Sequence, residues 1–139
     1  MGQKVHADTS WLIALFNPDD THHSRALREL DELTAPLTIS ALVLAELLVS
    51  FEESDSGITV ENLREAIPSV MEIDSAVAIK AAAIRSLHKS SLGDAIVIAS
   101  AALQKAELLS FDRKMIGIDR KSTRLNSSHE WISRMPSSA

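Results

Sequence analysis

The sequence predicts an α/β protein in which two layers of helices enclose a short, mostly parallel sheet. Short apolar segments with the features of strands alternate with longer segments of helical periodicity. Strands separated by helices pair in parallel, because each crossover returns the chain to the same end of the sheet. The segment GDAIVIASAALQKA is apolar on nearly every side, as in a helix buried against a sheet. We therefore expect a three-layer α/β/α sandwich.

The first part of the chain predicts two strands and three helices. KVHA is a short strand that ends at Asp8, and the helix TSWLIALF follows it until NPDD ends it. PLTIS is a second strand after Pro36, and Ser40 is the expected N-cap of the helix ALVLAELLVSF. Between them, HSRALRELDEL is an amphipathic surface helix whose apolar side carries Ala26, Leu27, Leu30 and Leu33.

The second part continues the alternation. TVENLREAI is a helix capped by Thr59, and SVMEI is a strand candidate. GDAIVIASAALQKA is the buried helix, and ELLSF is a last short strand that ends at Asp112. SAVAIKAAAIRSLHK, between SVMEI and the buried helix, is a long helix behind Asp74 with one apolar stripe, formed by Val77, Ala81 and Ile84.

Composition restricts the possible functions. The 139 residues, 45% of them hydrophobic, suit one soluble domain. No apolar run is long enough to span a membrane and no signal-peptide pattern opens the chain, so we expect a cytoplasmic protein with no membrane partner. The absence of cysteine excludes disulfides and thiolate sites. A net charge of −5 disfavours a broad basic surface for nucleic acid, and 4% aromatic residues disfavour an extended base-stacking surface.

The C-terminal segment differs from the rest. From Asp119 the apolar periodicity is lost, and DRKSTRLNSSH is identical to a translation of a common sequencing-library adapter. We therefore expect residues 1–118 to form the native domain, truncated at its C-terminus, and 119–139 to be a non-native, disordered tail. Without this tail the net charge falls to about −7, because the tail contains four basic and two acidic side chains.

Two aspartates lie where a ligand would bind to such a sheet, and a third lies at the start of the buried helix. Asp8 and Asp112 follow strands, and ligands of parallel sheets collect beyond the carboxyl ends of the strands. Asp94 opens the buried helix. Each has a simpler interpretation: Asp8 and Asp94 can be helix N-caps, and Asp112 can be a turn residue that pairs with Arg113 or Lys114.

Glu46 is the only charged residue in ISALVLAELLVSF. It lies more than a turn past the predicted helix start, so it cannot be an N-cap. A buried carboxylate without a partner is unfavourable. Glu46 therefore either lies on a partly exposed polar edge or points into a polar cleft where a cation compensates its charge.

Histidines and common motifs offer weaker candidates. His22 and His23 lack the spacing of a zinc motif and are expected in a solvated loop. His6 is expected to serve packing or the surface, and His88 to end a helix. The chain has no nucleophile-elbow, phosphate-loop or dinucleotide motif.

Four acid-bearing segments resemble PIN-domain ribonucleases, specifically the VapC-type toxins of bacterial toxin–antitoxin modules. They are HADTSWLIALFNPDD, ISALVLAELL, SLGDAIVIASAAL and LLSFDRKM, in the family's order and spacing. The resemblance spans residues 4 to about 116. The family's final strand would follow FDRKM, where the adapter-like text begins instead.

The resemblance implies a PIN-like sandwich and a site for a divalent metal ion. Its acidic set maps onto Asp8, Glu46, Asp94 and Asp112, with Ser110 at a position where the family usually has a small hydroxyl or Asn residue. Asp8 and Asp94 would be direct ligands, Glu46 would orient or deprotonate the attacking water, and Asp112 would complete the shell.

Elementary chemistry supports a metal at such a site. Mg²⁺ and Mn²⁺ prefer carboxylate oxygen and water. Such an ion can acidify a water molecule and neutralise charge on a phosphodiester, which makes RNA hydrolysis feasible on an acidic protein. We therefore expect an Mg²⁺-dependent endoribonuclease, with Mn²⁺ as a possible substitute, that cleaves single-stranded regions of RNA.

Two alternatives remain at this point. One is a catalytically idle PIN-like scaffold that binds a protein partner. The other is a receiver-like or phosphatase-like α/β module with Asp8 as phosphoacceptor, although ADTSW lacks the second acid that such modules require.

Apolar helices predict protein partners. The segments 11–16 and 42–49 contain more apolar surface than a domain of this size is expected to bury, which predicts a homodimer face and a groove for a cognate antitoxin. The resemblance further implies that the antitoxin inserts a basic side chain or peptide into the acidic cleft.

Overall fold

The computed structural model describes residues 4–67 and 69–126, with side chains described as far as residue 122. In chain order the elements are β1 (Val5–Ala7), α1 (Thr9–Phe16), α2 (His23–Glu32), β2 (Leu37–Ser40), α3 (Ala41–Glu53), α4 (Val60–Ala66), β3 (Ser69–Met71), α5 (Ser75–His88), α6 (Leu92–Leu103), β4 (Glu107–Leu109) and α7 (Arg113–Asn126). None of the helices in these ranges is long and apolar enough to cross a membrane. The ten elements predicted from the sequence are confirmed.

The four strands form one parallel sheet in the order β3-β2-β1-β4. Ala7 is aligned with Ile39 on β2 and with Leu109 on β4, so the three strands end at the same edge. The chain leaves β1 toward β2 on one side, and β4 returns on the other side of β1. The carboxyl ends of β1 and β4 therefore flank a topological switch point, where parallel sheets form their ligand crevices.

Helices cover both faces of the sheet, which confirms the three-layer sandwich. Crossovers between parallel strands are right-handed as a rule. With the strand order β3-β2-β1-β4, that hand puts the β1–β2 and β2–β3 helices on one face and those of the β3–β4 crossover on the other. The predicted apolar character of α6 is borne out, since most of its residues are buried. The predicted stripe of α5 is likewise completely buried.

The helix starts follow from side chains that accept hydrogen bonds from free backbone N–H groups. Asp8 caps α1, Ser40 caps α3 and Asp74 caps α5. Thr59 forms a capping box with Asn62 at the start of α4. These caps agree with the elements predicted from the sequence.

The expectation of a disordered segment from residue 119 is wrong for residues 119–126, which belong to α7. The helix begins where the Asp112 carboxylate accepts hydrogen bonds from the backbone of Lys114 and Met115, at 2.9 and 3.3 Å. Met115 and Ile118 are buried on one side of the helix, next to α6. Residues 127–139 lie outside the described residues, and the domain boundary at 118 stays a prediction.

The prediction of α2 as an amphipathic surface helix is confirmed, since Ala26 is buried while Leu27 and Leu30 are 43% and 37% exposed. One expectation about apolar surfaces is wrong. The segments 11–16 and 42–49 are mostly covered, because their larger side chains pack into or against the core. In those two segments, Val49 alone is a strongly exposed large apolar side chain.

Candidate functional site

Asp8 lies at the carboxyl end of β1 and is 4% exposed. Its Oδ1 accepts hydrogen bonds from the Trp11 backbone at 2.9 Å and from the Ser10 hydroxyl at 2.8 Å. Its Oδ2 accepts a hydrogen bond from the Ser110 hydroxyl. The N-cap interpretation of Asp8 is therefore confirmed, and the same carboxylate also reaches across to the end of β4.

Burial raises the pKa of Asp8 above its ordinary value of 3.8. Hydrogen bonds from Ser110, Trp11 and Ser10 lower this pKa, and the nearby negative charge of Asp112 raises it. The pKa of Asp8 is raised overall, so the folded protein disfavours its ionised form. A bound cation would reverse that preference, since opposite charge stabilises a carboxylate.

Ser110 connects Asp8 with Asp112. Its hydroxyl donates to Asp8 and accepts a hydrogen bond from the Asp112 backbone N–H at 3.0 Å. The Asp112 carboxylate caps α7 by accepting hydrogen bonds from the backbone N–H groups of Lys114 and Met115, and these bonds do not involve a basic side chain. The structure thus brings three predicted site residues together: Asp8, Ser110 and Asp112.

Glu46 lies on the second turn of α3 and is exposed. The Thr9 hydroxyl donates a hydrogen bond of 2.7 Å to its Oε1. Because Thr9 follows Asp8 directly, this bond places Glu46 beside the start of α1. The interpretation of Glu46 as a partly exposed residue on a polar edge therefore holds, and that edge faces the end of β1.

Asp94 lies in the first turn of α6 and is half-buried. The N-cap interpretation of Asp94 is wrong, because Ser91 is the N-cap and its hydroxyl accepts a hydrogen bond from the Asp94 backbone at 3.1 Å. The Asp94 carboxylate therefore does not cap α6. A Cβ added at Gly93 would lie 3.5 Å from the Leu42 side chain, so the first turns of α6 and α3 are in contact.

The donor set suits a hard divalent cation, but the described side chains are not arranged as a closed cage. All four acids offer carboxylate oxygen, which Mg²⁺ and Mn²⁺ prefer. Within the described ranges, no three His, Cys, Asp or Glu side chains converge closely enough to hold an ion. The residues fit such an ion in chemistry, and water would have to supply part of its coordination, as is usual for Mg²⁺.

Thr9 and Ser10 are site residues that the sequence interpretation missed. Their hydroxyls donate to Glu46 and Asp8, respectively. The signal was present in the sequence, since two hydroxyl residues follow Asp8 directly. Their small size and position in the first turn of α1 let them contact the carboxylates.

A cleft of about 1120 Å³ adjoins the acidic residues. Its walls come from α2, the end of α6 with the turn that follows it, β4 and α7, with both acidic and basic side chains. Of the five predicted site residues, Ser110 alone lines it. The cleft is therefore a neighbour of the acidic site and does not contain it.

The sequence profile of the PIN domain family matches residues 5–121. The chain belongs to the PIN-domain family. A search by sequence among curated proteins gives no significant match. The family assignment confirms the resemblance carried by the four acid-bearing segments, and it argues against the receiver-like alternative.

Solved structures agree with this assignment. A toxin–antitoxin complex from Klebsiella pneumoniae is similar at 25% identity and a TM-score of 0.70, over 83% of this chain and 92% of that chain. VapC20 from Mycobacterium tuberculosis, a toxin that cleaves the sarcin–ricin loop, is 19% identical with a TM-score of 0.67, over 82% and 94%. FitAcB from Neisseria gonorrhoeae is 18% identical with a TM-score of 0.71, over 84% and 93%. This PIN domain therefore shares its fold with toxins of toxin–antitoxin modules.

Proposed function

We propose that this PIN domain is a divalent-metal-dependent endoribonuclease that cleaves single-stranded regions of RNA and acts as the toxin of a toxin–antitoxin module. The observation that carries the proposal is the hydrogen-bonded group of Asp8, Ser110 and Asp112 at the β1–β4 switch point. Support for the RNA substrate comes from the similar VapC20 structure, whose protein cleaves an RNA loop.

In this proposal Asp8 and Asp94 hold Mg²⁺, or Mn²⁺ in its place, and Asp112 completes the coordination directly or through water. When bound, the ion supplies positive charge for the phosphodiester and acidifies a coordinated water. Ser110 fixes the Asp8 oxygen that it contacts. Glu46, which Thr9 orients, is the group that holds or accepts the proton of the attacking water.

A cognate antitoxin is the proposed protein partner. The similar complex from Klebsiella pneumoniae contains both components of a module, which supports this proposal. The acidic side chains around Asp8 would attract a basic side chain or peptide of the antitoxin. A homodimer is also proposed. The segments 11–16 and 42–49 are mostly covered, and more strongly exposed apolar side chains such as Ile79, Leu87 and Leu92 are available for its surface.

The proposal is tested by incubating the purified chain with total cellular RNA in MgCl₂, in MnCl₂ or in excess EDTA, and by mapping new RNA ends. Defined cleavage sites are expected with either metal and none with EDTA. The Asp8→Asn variant should leave the RNA intact. A wild-type protein that produces no new ends with either metal would contradict the proposal.

An idle scaffold is the second candidate, favoured by the absence of a closed metal cage among the described side chains. Such a scaffold would bind an antitoxin without binding a metal ion. Calorimetric titration with MnCl₂ separates the two, because the nuclease is expected to bind Mn²⁺ and the scaffold is not.

A further inference from the structure

Two aromatic rings stack at the rim of the acidic site. The rings of His22 and Phe111 lie with centroids 4.4 Å apart and an interplanar angle of 13°. The guanidinium carbon of Arg25 lies 5.3 Å from the centre of the Phe111 ring. We call these three side chains the ring platform. No pattern in the sequence indicated the ring platform, because His22 and the segment FDRK are distant along the chain.

The ring platform is bonded to the acidic site through the backbone. Phe111 lies between Ser110 and Asp112 in the sequence, and its N–H donates a hydrogen bond of 3.3 Å to the Ser10 hydroxyl. That hydroxyl donates in turn to Oδ1 of Asp8 at 2.8 Å. Two hydrogen bonds therefore separate the Phe111 backbone from the central carboxylate.

Contacts between α1 and α2 hold the platform in place. Nε1 of Trp11 donates to Glu29 at 2.8 Å, and Nε of Arg25 donates to the other oxygen of Glu29 at 3.0 Å. Nδ1 of His23 donates to the backbone oxygen of Ala14 at 2.7 Å. Arg25 is thus oriented by Glu29, while its side chain stays 60% exposed.

His22 occupies the N-cap position of α2 but makes no capping hydrogen bond with its side chain. Residues that serve this position well are Ser, Thr, Asp and Asn. The His22 ring is exposed and lies flat on Phe111. Phe111 is half-buried and packs against the core, so it holds the exposed His22 ring from behind. An exposed flat ring beside a cation is the arrangement that stacks a nucleobase and attracts its phosphate.

We propose that the ring platform stacks one nucleobase of the RNA next to the cleaved phosphodiester. This proposal rests on the proposed nuclease function and adds a positioning site to it. His22, supported from behind by Phe111, would provide the stacking surface, and Arg25 would face the phosphate of the stacked nucleotide. Because every base has a π face, such a site positions the strand with little sequence preference.

The test measures binding without turnover, in the full chain carrying Asp8→Asn. The probes are a single-stranded octamer of adenosine nucleotides and eight versions with one abasic nucleotide each. At one position, loss of the base should weaken binding about five- to tenfold. His22→Ala should weaken binding of the intact octamer by the same factor and should cause no further loss with that abasic octamer. His22→Phe should restore binding of the intact octamer.

Arg28→Gln is the matched control for Arg25→Gln, since both remove an exposed positive charge from α2. A larger loss of affinity is expected for Arg25→Gln. The ring platform would be overturned if His22→Ala lowered the affinity for the intact octamer and for all abasic octamers equally, or lowered none of them.

The two proposals fail in different ways. If the wild-type chain cleaves RNA but His22→Ala weakens binding of every abasic octamer as much as binding of the intact one, the ring platform is wrong and the nuclease proposal stands. A chain that cleaves no RNA but retains the coupling between His22 and one base overturns the nuclease and supports the ring platform as a site for single-stranded RNA.

Discussion

The Ser110 hydroxyl donates a hydrogen bond to Oδ2 of Asp8 and so joins the ends of β4 and β1. The same hydroxyl accepts the backbone N–H of Asp112 at 3.0 Å. One small side chain thereby fixes the spacing of two acids that repel each other. Through this contact Ser110 orients the carboxylate of Asp8, although the two residues are 102 positions apart in the chain.

Ser110→Ala should lower the rate of RNA cleavage about 10- to 100-fold, the usual effect of removing a group that orients a metal ligand. The variant also loses the hydrogen bond that lowers the pKa of Asp8, so its activity should shift to higher pH. Cleavage rates measured against pH test both effects. Ser110→Thr keeps a hydroxyl and should retain most activity, whereas an alanine variant as active as the wild type would contradict the role.

Asp8→Asn should abolish cleavage while the melting temperature stays equal or rises. Folding raises the pKa of Asp8 above its unfolded value, so its stabilising contribution is present below the unfolded pKa and is lost as pH rises through the folded pKa. Asn removes that charge and still caps α1.

Asp8→Ala is the comparison variant for this substitution. It loses the cap as well, which should destabilise the protein by about 1 kcal/mol relative to Asp8→Asn. Thermal unfolding at pH 7 measures the difference. A lower melting temperature for Asp8→Asn than for Asp8→Ala would refute the capping role.

Divalent metal should stabilise the wild-type protein. Binding to the folded state alone raises stability by about 2.7 kcal/mol when the ion is at 100 times its Kd. Thermal unfolding with increasing MnCl₂ should therefore show a rising melting temperature, and Asp8→Asn should show little change. An equal rise for both proteins would mean that the ion binds elsewhere.

Acid should destabilise the fold through His6, which is completely buried on β1. Its Nδ1 lies 2.8 Å from Gln104 and 3.0 Å from Thr38, and its Nε2 has no partner among the described residues. Burial lowers the pKa of His6 from 6.5 to about 4. Below pH 6.5 the unfolded chain binds a proton at His6 before the folded protein does. The free energy of unfolding should therefore fall between pH 6.5 and pH 4, by about 3 kcal/mol in total.

Chemical unfolding of the wild type and His6→Gln at several pH values tests this prediction. The variant removes the titrating group and should lose less stability than the wild type between pH 6.5 and 4. Parallel declines of the two proteins would assign the acid sensitivity to other groups.

The sequence predicted most of the fold because the local signals agreed with one another. Asp74 and Thr59 mark helix starts by their chemistry alone, and the caps occur where expected. Helix α7 was missed because its burial depends on tertiary contact: Met115 and Ile118 are too few apolar residues to define a helical period.

The site was predicted less completely than the fold. Asp94 shows why: Asp and Ser both cap helices well, and only the structure reveals that Ser91 takes that position. The contacts of Ser10 and of the ring platform depend on loops that meet in space. Strand and helix periodicity carries no information about such contacts.

The most direct test of a single metal-dependent acidic site is the single-turnover cleavage rate of Asp94→Asn on an RNA cut by the wild type in MgCl₂. Asp94 is the appropriate residue because Ser91 caps α6 independently of its side chain. Glu61→Gln, which neutralises an acid in the first turn of α4, is the matched control. We predict a loss of at least about 100-fold for Asp94→Asn, equivalent to the several kcal/mol that a metal site contributes, and an unchanged rate for Glu61→Gln. A folded Asp94→Asn protein that cleaves at the wild-type rate would contradict the account.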